Sequence, residues 1–350
     1  MPDADRRVAA RRARRFRARV RATAVALAAA ACAPRSEPLR FVAGAPQPED
    51  LVLAPGGRWI IASRYPQSGA GGLTLIDSQG LSAHPARIAI PATNGAYPGC
   101  PGPLDLGRFV SHGLYLLPDG DRRGRLFAVG HGGREAVEVF EVNGTGPAPA
   151  VAWVGCLPAP TGASFNAVAA LADGRVFASD FRHAGKSWED LRAGRTTGAV
   201  YGWTAAAGFR KLAGTDLPGP NGLDVTPDSR WLLVAAAPDT VLRFDLADTA
   251  RPPVRVVADF GTDNLRRLAD GRVLLAGSAK ARGCFWCASA AAAAILDPAT
   301  MRLTPLYRSP PARAFPGAST ALLVGRTLWF GSWKADHAAY VTLPETAKAR

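Results

Sequence analysis

Six times along the chain a short apolar run leads into a tight turn and then a second apolar run. Runs this short, bounded by glycine, aspartate and proline, predict β-strands joined by turns and argue against long helices. Four copies carry a polar residue or pair of metal-ligand type eight positions before the last residue of the turn. These are Glu49-Asp50 before Gly57, Asn166 before Gly174, Asn221 before Ser229, and Asp263-Asn264 before Gly271. A fifth copy has His112 eight positions before Gly120, whereas the sixth, starting at Ser319, offers only hydroxyls and a shorter strand. Each copy runs on into a second strand and usually a third: RWIIASR and GLTLID follow Gly57, and RVLLAGS and AAAAILD follow Gly271.

Setting aside the first 32 residues leaves about 53 residues per copy, near the period expected of propeller blades. One three- or four-stranded blade cannot bury both of its faces alone. Six copies therefore predict an all-β, six-bladed β-propeller over residues 41–345, packed around a central channel. A sandwich of irregular hairpins would repeat at a spacing of about 8–12 residues rather than hold this longer phase. In a propeller the first strand of every blade is innermost, and all six run the same way along the channel. Glu49, Asp50, His112, Asn166, Asn221, Asp263 and Asn264 are thus expected on a ring at one channel mouth.

Carboxylate and amide oxygens converging from several directions suit a hard cation, and calcium takes such ligands at flexible geometry. Zinc would call for histidine and cysteine, and magnesium for a stricter octahedron. Asparagine and aspartate also cap turns where strands enter from loops, but a shared repeat phase points to one site. A cation at a channel mouth can polarise an ester or lactone carbonyl. His112, on the same ring, is placed to activate water, and His131 in the next strand can orient it or relay its proton. His84, His183 and His337 have no such phase and read as packed or solvated residues.

Composition narrows the class. A hydrophobic fraction of 48% over 350 residues is ample for one large core, and no apolar stretch approaches the ~20 residues that span a bilayer. The net charge of +14 is uneven, because nine arginines and two aspartates fall in the first 21 residues and leave only +7 for the rest. That remainder is dispersed, without the clustered basic face of a nucleic-acid binder. The basic segment 6–21, the ten small, mostly apolar residues Ala22 to Ala31, and Cys32-Ala33 follow the order of a secretory signal. Residues 1–33 are therefore read as a signal peptide or lipoprotein signal, and the protein as exported, periplasmic or extracellular, with membrane attachment only through a lipidated Cys32. Cys100 and Cys156 lie in Gly/Pro-rich loops and are expected to pair, while Cys284 and Cys287 read as a loop bridge or free thiols.

The motifs at these positions resemble the paraoxonase/arylesterase family, within the gluconolactonase-like group of six-bladed calcium propellers. Pro48-Glu49-Asp50-Leu51 is similar to the family's first calcium-ligand stretch, and Ser111-His112-Gly113-Leu114 to its catalytic histidine motif. Phe165-Asn166, Asn221-Gly222-Leu223 and Thr262-Asp263-Asn264 resemble its asparagine and Asp-Asn motifs. Ser179-Asp180-Phe181, Ser187-Trp188-Glu189 and Ser319-Thr320 follow in the same order. The resemblance implies a catalytic calcium on Glu49, Asn166, Asn221, Asp263 and Asn264, with His112 and His131 as an acid–base pair hydrolysing lactones or aryl esters.

Two departures bear on that carry-over. The family's second, structural calcium uses an aspartate directly after the first asparagine, where this chain has Ala167, although Asp50 and the Leu114 carbonyl could still contribute. No cysteine follows Cys287 to tie the chain ends together, so the segment before Glu49 is expected to close the ring by joining the last blade.

The leading expectation is a monomeric, calcium-dependent hydrolase of small-molecule esters or lactones. The alternative is a non-catalytic, exported calcium-binding propeller that holds a ligand or partner, and a third reading is a different reaction on the same scaffold.

Overall fold

The computed structural model describes residues 37–344 apart from 67, 68, 70, 92–96 and 280–287. The signal-like segment with Cys32, and the pair Cys284 and Cys287, lie outside the described residues. From Pro38 onward the chain forms one compact unit, a six-bladed β-propeller as the repeat predicts. Among the described residues no helix is long and apolar enough to cross a membrane.

Within each blade successive strands pair antiparallel from the centre outward, apart from one added outer strand in blades two and six. The innermost strands are Leu51–Leu53, Val110–Pro118, Phe165–Ala170, Pro220–Val225, Gly261–Arg267 and Ala318–Val324. They touch one another in sequence and the sixth touches the first, so the ring is closed. The next strands out, such as Trp231–Ala236 and Val273–Ala279, are packed on both faces by neighbouring blades. That burial explains why their sequences are unbroken apolar runs rather than alternating ones. Trp153, Phe140, Phe165, Phe244 and Trp329 fill the layers between blades almost without exposure, each burial contributing about 1.5–3 kcal/mol.

Four features go beyond the repeat. Blade two has a fifth strand, Ile88–Ala89, added in parallel to Ala150–Pro158. A short helix, Trp188–Arg192, sits between the second and third strands of blade three, started by a capping box between Ser187 and Asp190. Arg40–Ala43 pairs antiparallel with His337–Thr342, so the sixth blade is completed by the start of the chain.

The fourth feature sets the site. In blades two to five the inner strand carries one extra residue against its neighbour, a β-bulge, where the ladder skips His112-Gly113, Asn166-Ala167, Asn221-Gly222 and Asp263-Asn264. A bulge turns side chains out of the ordinary alternation of a strand. Two glycines make room for this. A Cβ on Gly113 would lie 2.4 Å from the Asn166 carbonyl oxygen, and one on Gly222 2.5 Å from that of Asp263.

Cys100 and Cys156 form a disulfide across 56 positions, with Cα atoms 5.1 Å apart. The pair is the expected one, but Cys156 lies within the strand Ala150–Pro158 rather than in a loop, so the bond pins the loop before blade two's inner strand to that strand. Reduction should remove roughly 2–4 kcal/mol of stability through the freed chain entropy. Melting with and without dithiothreitol checks this; an unchanged midpoint would mean the loop is held by packing alone.

Candidate functional site

At one mouth of the channel a cavity of about 390 Å³ is floored by Glu49, His112, Asn166, Asn221 and Asp263. Its walls are largely aromatic: Tyr65, Phe165, Phe181, Trp188 and Trp333. The floor residues are those of the repeat phase, delivered by five different blades. No described residue of the 97–110 insertion lines the cavity.

The floor is a set of oxygens whose hydrogen-bond donors are turned aside. Asn264 Nδ2 donates to Glu49 Oε1 at 2.8 Å, so Asn264 belongs to the cluster as a neighbour of Glu49. The Asn221 side chain hydrogen-bonds the Asp263 carboxylate. Asn166 Nδ2 faces His112 Nε2 at 3.4 Å. Glu49 Oε2, Asn166 Oδ1 and Asn221 Oδ1 are then left buried without a hydrogen-bond partner. Such buried oxygens cost free energy unless a hydrogen-bond donor or a positive charge meets them. The donor set is two carboxylates with amides, not a cluster of three or more His, Cys, Asp and Glu side chains, and no such cluster occurs among the described residues. It fits a hard cation.

Electrostatics agree. Burial, and then the charge of Asp263, hold the Glu49 carboxyl well above the usual carboxylate range. Burial, and then the charge of Asp50, do the same for Asp263.

His112 stands beside this floor, its Nε2 3.8 Å from Glu49 Oε2. Its Nδ1 meets His131 Nε2 at 3.1 Å, and His131 Nδ1 meets both oxygens of Glu135 at 2.8 and 2.9 Å. A carboxylate only accepts, so His131 Nδ1 carries a proton, and in the neutral ring its Nε2 is then the acceptor. His112 must donate from Nδ1, which leaves the lone pair on Nε2, facing the floor. Burial, followed by the adjacent His131, keeps the His112 imidazole neutral by lowering its pKa well below the ordinary histidine value. Tyr65 stacks on His112 with ring centroids 4.0 Å apart and planes 17° apart, holding the ring's orientation.

Asp50 does not join the floor. Its Oδ1 accepts from Leu51 N, Arg266 Nη2 and Thr320 Oγ1, and its Oδ2 from Leu114 N. Glu49 and Asp50 lie just before the blade-one strand, whose ladder begins at Leu51, and the Asp50 carboxylate is turned to these donors while Glu49 lines the cavity. Arg266 also donates to the Leu114 carbonyl at 3.1 Å. A guanidinium thus binds both groups that could have contributed to a second calcium, with the apolar Ala167 beside that level. Arg267 makes a similar set of contacts to the Val225 carbonyl, Tyr115 and Asp224.

The sixth copy, which lacks a ligand, secures the first. Ser319 Oγ donates to the Glu49 carbonyl at 2.6 Å, and Thr320 to Asp50 at 2.8 Å. The phase of the repeat finds the floor but not Glu135, Tyr65, Arg266 or the cavity walls, which lie off that phase.

A six-bladed propeller with a buried ring of unpartnered oxygens beside a histidine pair defines the class. The profile of the SMP-30/gluconolactonase/LRE-like region matches residues 134–323, more than half of the chain. The protein belongs to that family. The match does not single out the paraoxonase/arylesterase branch. Among solved structures, the chain is similar to a candidate gluconolactonase (18% identity, 87% of this chain, 92% of that one, TM-score 0.51). It is also similar to the major allergen Mala s 1 of Malassezia sympodialis (15% identity, 89% of this chain, 97% of that one, TM-score 0.52). At these identities the likeness establishes the shared fold. No curated protein matches the chain.

Proposed function

We propose that the protein is a calcium-dependent hydrolase of lactones or aryl esters, with His112 as the general base. The observation that carries this reading is the neutral His112 Nε2 lone pair, set beside the orphaned oxygens of Glu49, Asn166 and Asn221 in a cavity with aromatic walls. Membership in a family named for gluconolactonase supports it. The Cys100–Cys156 disulfide suits an exported protein, because such bonds persist in oxidising compartments.

Glu49, Asn166, Asn221 and Asp263 would hold the calcium, with Asn264 fixing Glu49 through its amide. When bound, calcium supplies Lewis acidity for a carbonyl oxygen and charge stabilisation for the tetrahedral oxyanion. The chain's own residues do the rest. His112 Nε2 takes a proton from water on the floor. His131 Nε2 supports the resulting imidazolium through His112 Nδ1, and Glu135 holds His131 in the tautomer this requires. The aromatic walls seat the apolar part of the substrate and exclude bulk water around the carbonyl.

Hydrolysis of phenyl acetate and of a simple lactone, with calcium and with excess chelator, tests the reading. It fails if calcium alters neither turnover nor the melting temperature.

The raised carboxyl pKa values of Glu49 and Asp263 give a second test. A cation must displace the protons these groups retain, so calcium affinity should strengthen as pH rises above the ordinary carboxylate range. The gain is at most about tenfold per pH unit for each proton released. Titration calorimetry in two buffers of different ionisation enthalpy measures that release, and a pH-independent affinity would contradict the assignment of the ligands.

A further inference from the structure

Beyond the floor, the wall of the cavity holds one feature that neither the cation nor the histidine pair uses. Arg182, directly after the second strand of blade three, lines the cavity. Its Nη1 donates to the Lys186 carbonyl at 2.8 Å, and its guanidinium lies 5.2 Å over the Trp188 ring. These two contacts hold the side chain in place and leave other N–H groups unengaged. No ion pair joins Arg182 to a carboxylate among the described residues. Two arginines within the channel, by contrast, are matched by carboxylates: Arg266 by Asp50 and Arg267 by Asp224.

The opposite side of the mouth repeats the arrangement. Blade six faces blade three across a six-membered ring. There Trp333 lines the cavity with 38% of its surface exposed, and Lys334 Nζ lies 4.1 Å over its ring. Trp188 is 53% exposed. The entrance is therefore framed by two exposed tryptophans, each backed by a cation. On the floor, the charges of Glu49 and Asp263 would balance one divalent cation, so Arg182 leaves the loaded site with a net positive charge.

We propose that Arg182 is a specificity residue that receives a carboxylate carried by the substrate, so that the preferred substrates are esters or lactones with an apolar body and an anionic end. This rests on the hydrolase reading for the words ester and lactone; the carboxylate seat itself rests on Arg182 and its surroundings. The planar guanidinium fork matches a carboxylate in two parallel hydrogen bonds. Tryptophan faces on either side accept an aromatic or alkyl body.

The test compares benzoate with benzamide, which share the ring and differ in charge, binding to the full calcium-loaded chain. Quenching of tryptophan fluorescence reports the binding. The expected result is about tenfold tighter binding of benzoate. In Arg182→Gln the two ligands should bind within about twofold of each other, and Arg182→Lys should keep part of the preference through its charge. Lys211→Gln, whose ammonium pairs with Asp216 on an outer strand, should keep all of it. Equal affinities in the unmodified protein overturn the proposal. So does a preference that survives in Arg182→Gln, because the carboxylate would then sit on the floor cation. A lost preference in Arg182→Gln without any phenyl acetate turnover leaves the seat standing and sinks the hydrolase reading; turnover without the preference does the reverse.

Discussion

Glutamine in place of His112 should lower kcat for phenyl acetate by about 10²–10⁴-fold, the range typical of removing a positioned general base. Glutamine keeps much of the reach and polarity of histidine but cannot take up a proton. The His112 ring makes a hydrogen bond from Nδ1 to His131, and its Nε2 meets Asn166 and, at 3.8 Å, Glu49. The substitution leaves Glu49, Asn221 and Asp263 untouched, so the calcium-induced rise in melting temperature should persist. Measuring both on one preparation separates the base from the metal floor. Turnover within threefold of the unmodified enzyme would remove His112 from the mechanism. Loss of the calcium response along with turnover would recast it as a structural prop for the floor.

Asp263→Asn should produce a crossing of stabilities. Folding holds the Asp263 carboxyl far above its ordinary range, chiefly through burial and then through the Asp50 charge. An acid whose pKa is raised by folding destabilises the fold as pH rises from its unfolded value, near 4, toward its folded one. Without calcium at neutral pH, the uncharged asparagine should therefore melt above the wild type. With calcium the order should reverse. A ligand present at a hundred times its Kd adds about 2.7 kcal/mol to the wild type, and loss of one of two ligand charges should weaken calcium binding and forfeit much of that gain. Melting curves in chelator and in millimolar calcium show whether the two lines cross. Parallel lines, with the variant below the wild type throughout, would make Asp263 an ordinary structural residue.

Much of this site was legible in the sequence because blade geometry ties each ligand to a turn at a fixed distance along an inner strand. Glu49, His112, Asn166, Asn221 and Asp263 share that phase, and all five line one cavity. Asp50 shows where the reasoning stops. It sits next to Glu49 just as Asn264 sits next to Asp263, and the sequence treats the pairs alike. The difference is local geometry: at the bulge Asp263 lines the cavity and Asn264 reaches Glu49, whereas Asp50, just before the blade-one strand, meets Arg266. A bulge is a relation between two strands and leaves no mark on one of them beyond a permissive glycine such as Gly113 or Gly222. Glu135 was hidden for a related reason, since its approach to His131 depends on the turn joining two strands. The walls were least visible, because Tyr65, Trp188 and Trp333 come from connections between strands, which carry no period.

The pairing of Arg40–Ala43 with His337–Thr342 has a consequence for how the molecule fails. A linear repeat array has terminal units that fray first and must be capped. Here the last blade is finished by the first strand, so the described propeller has no terminal blade built from one end of the chain alone. That clasp also lies in the sheet that contains Ser319 and Thr320, which hold Glu49 and Asp50. Slippage of four residues at the seam would thus reach the cavity floor through two hydroxyls, so that the fold and the arrangement of the floor are lost together rather than in stages.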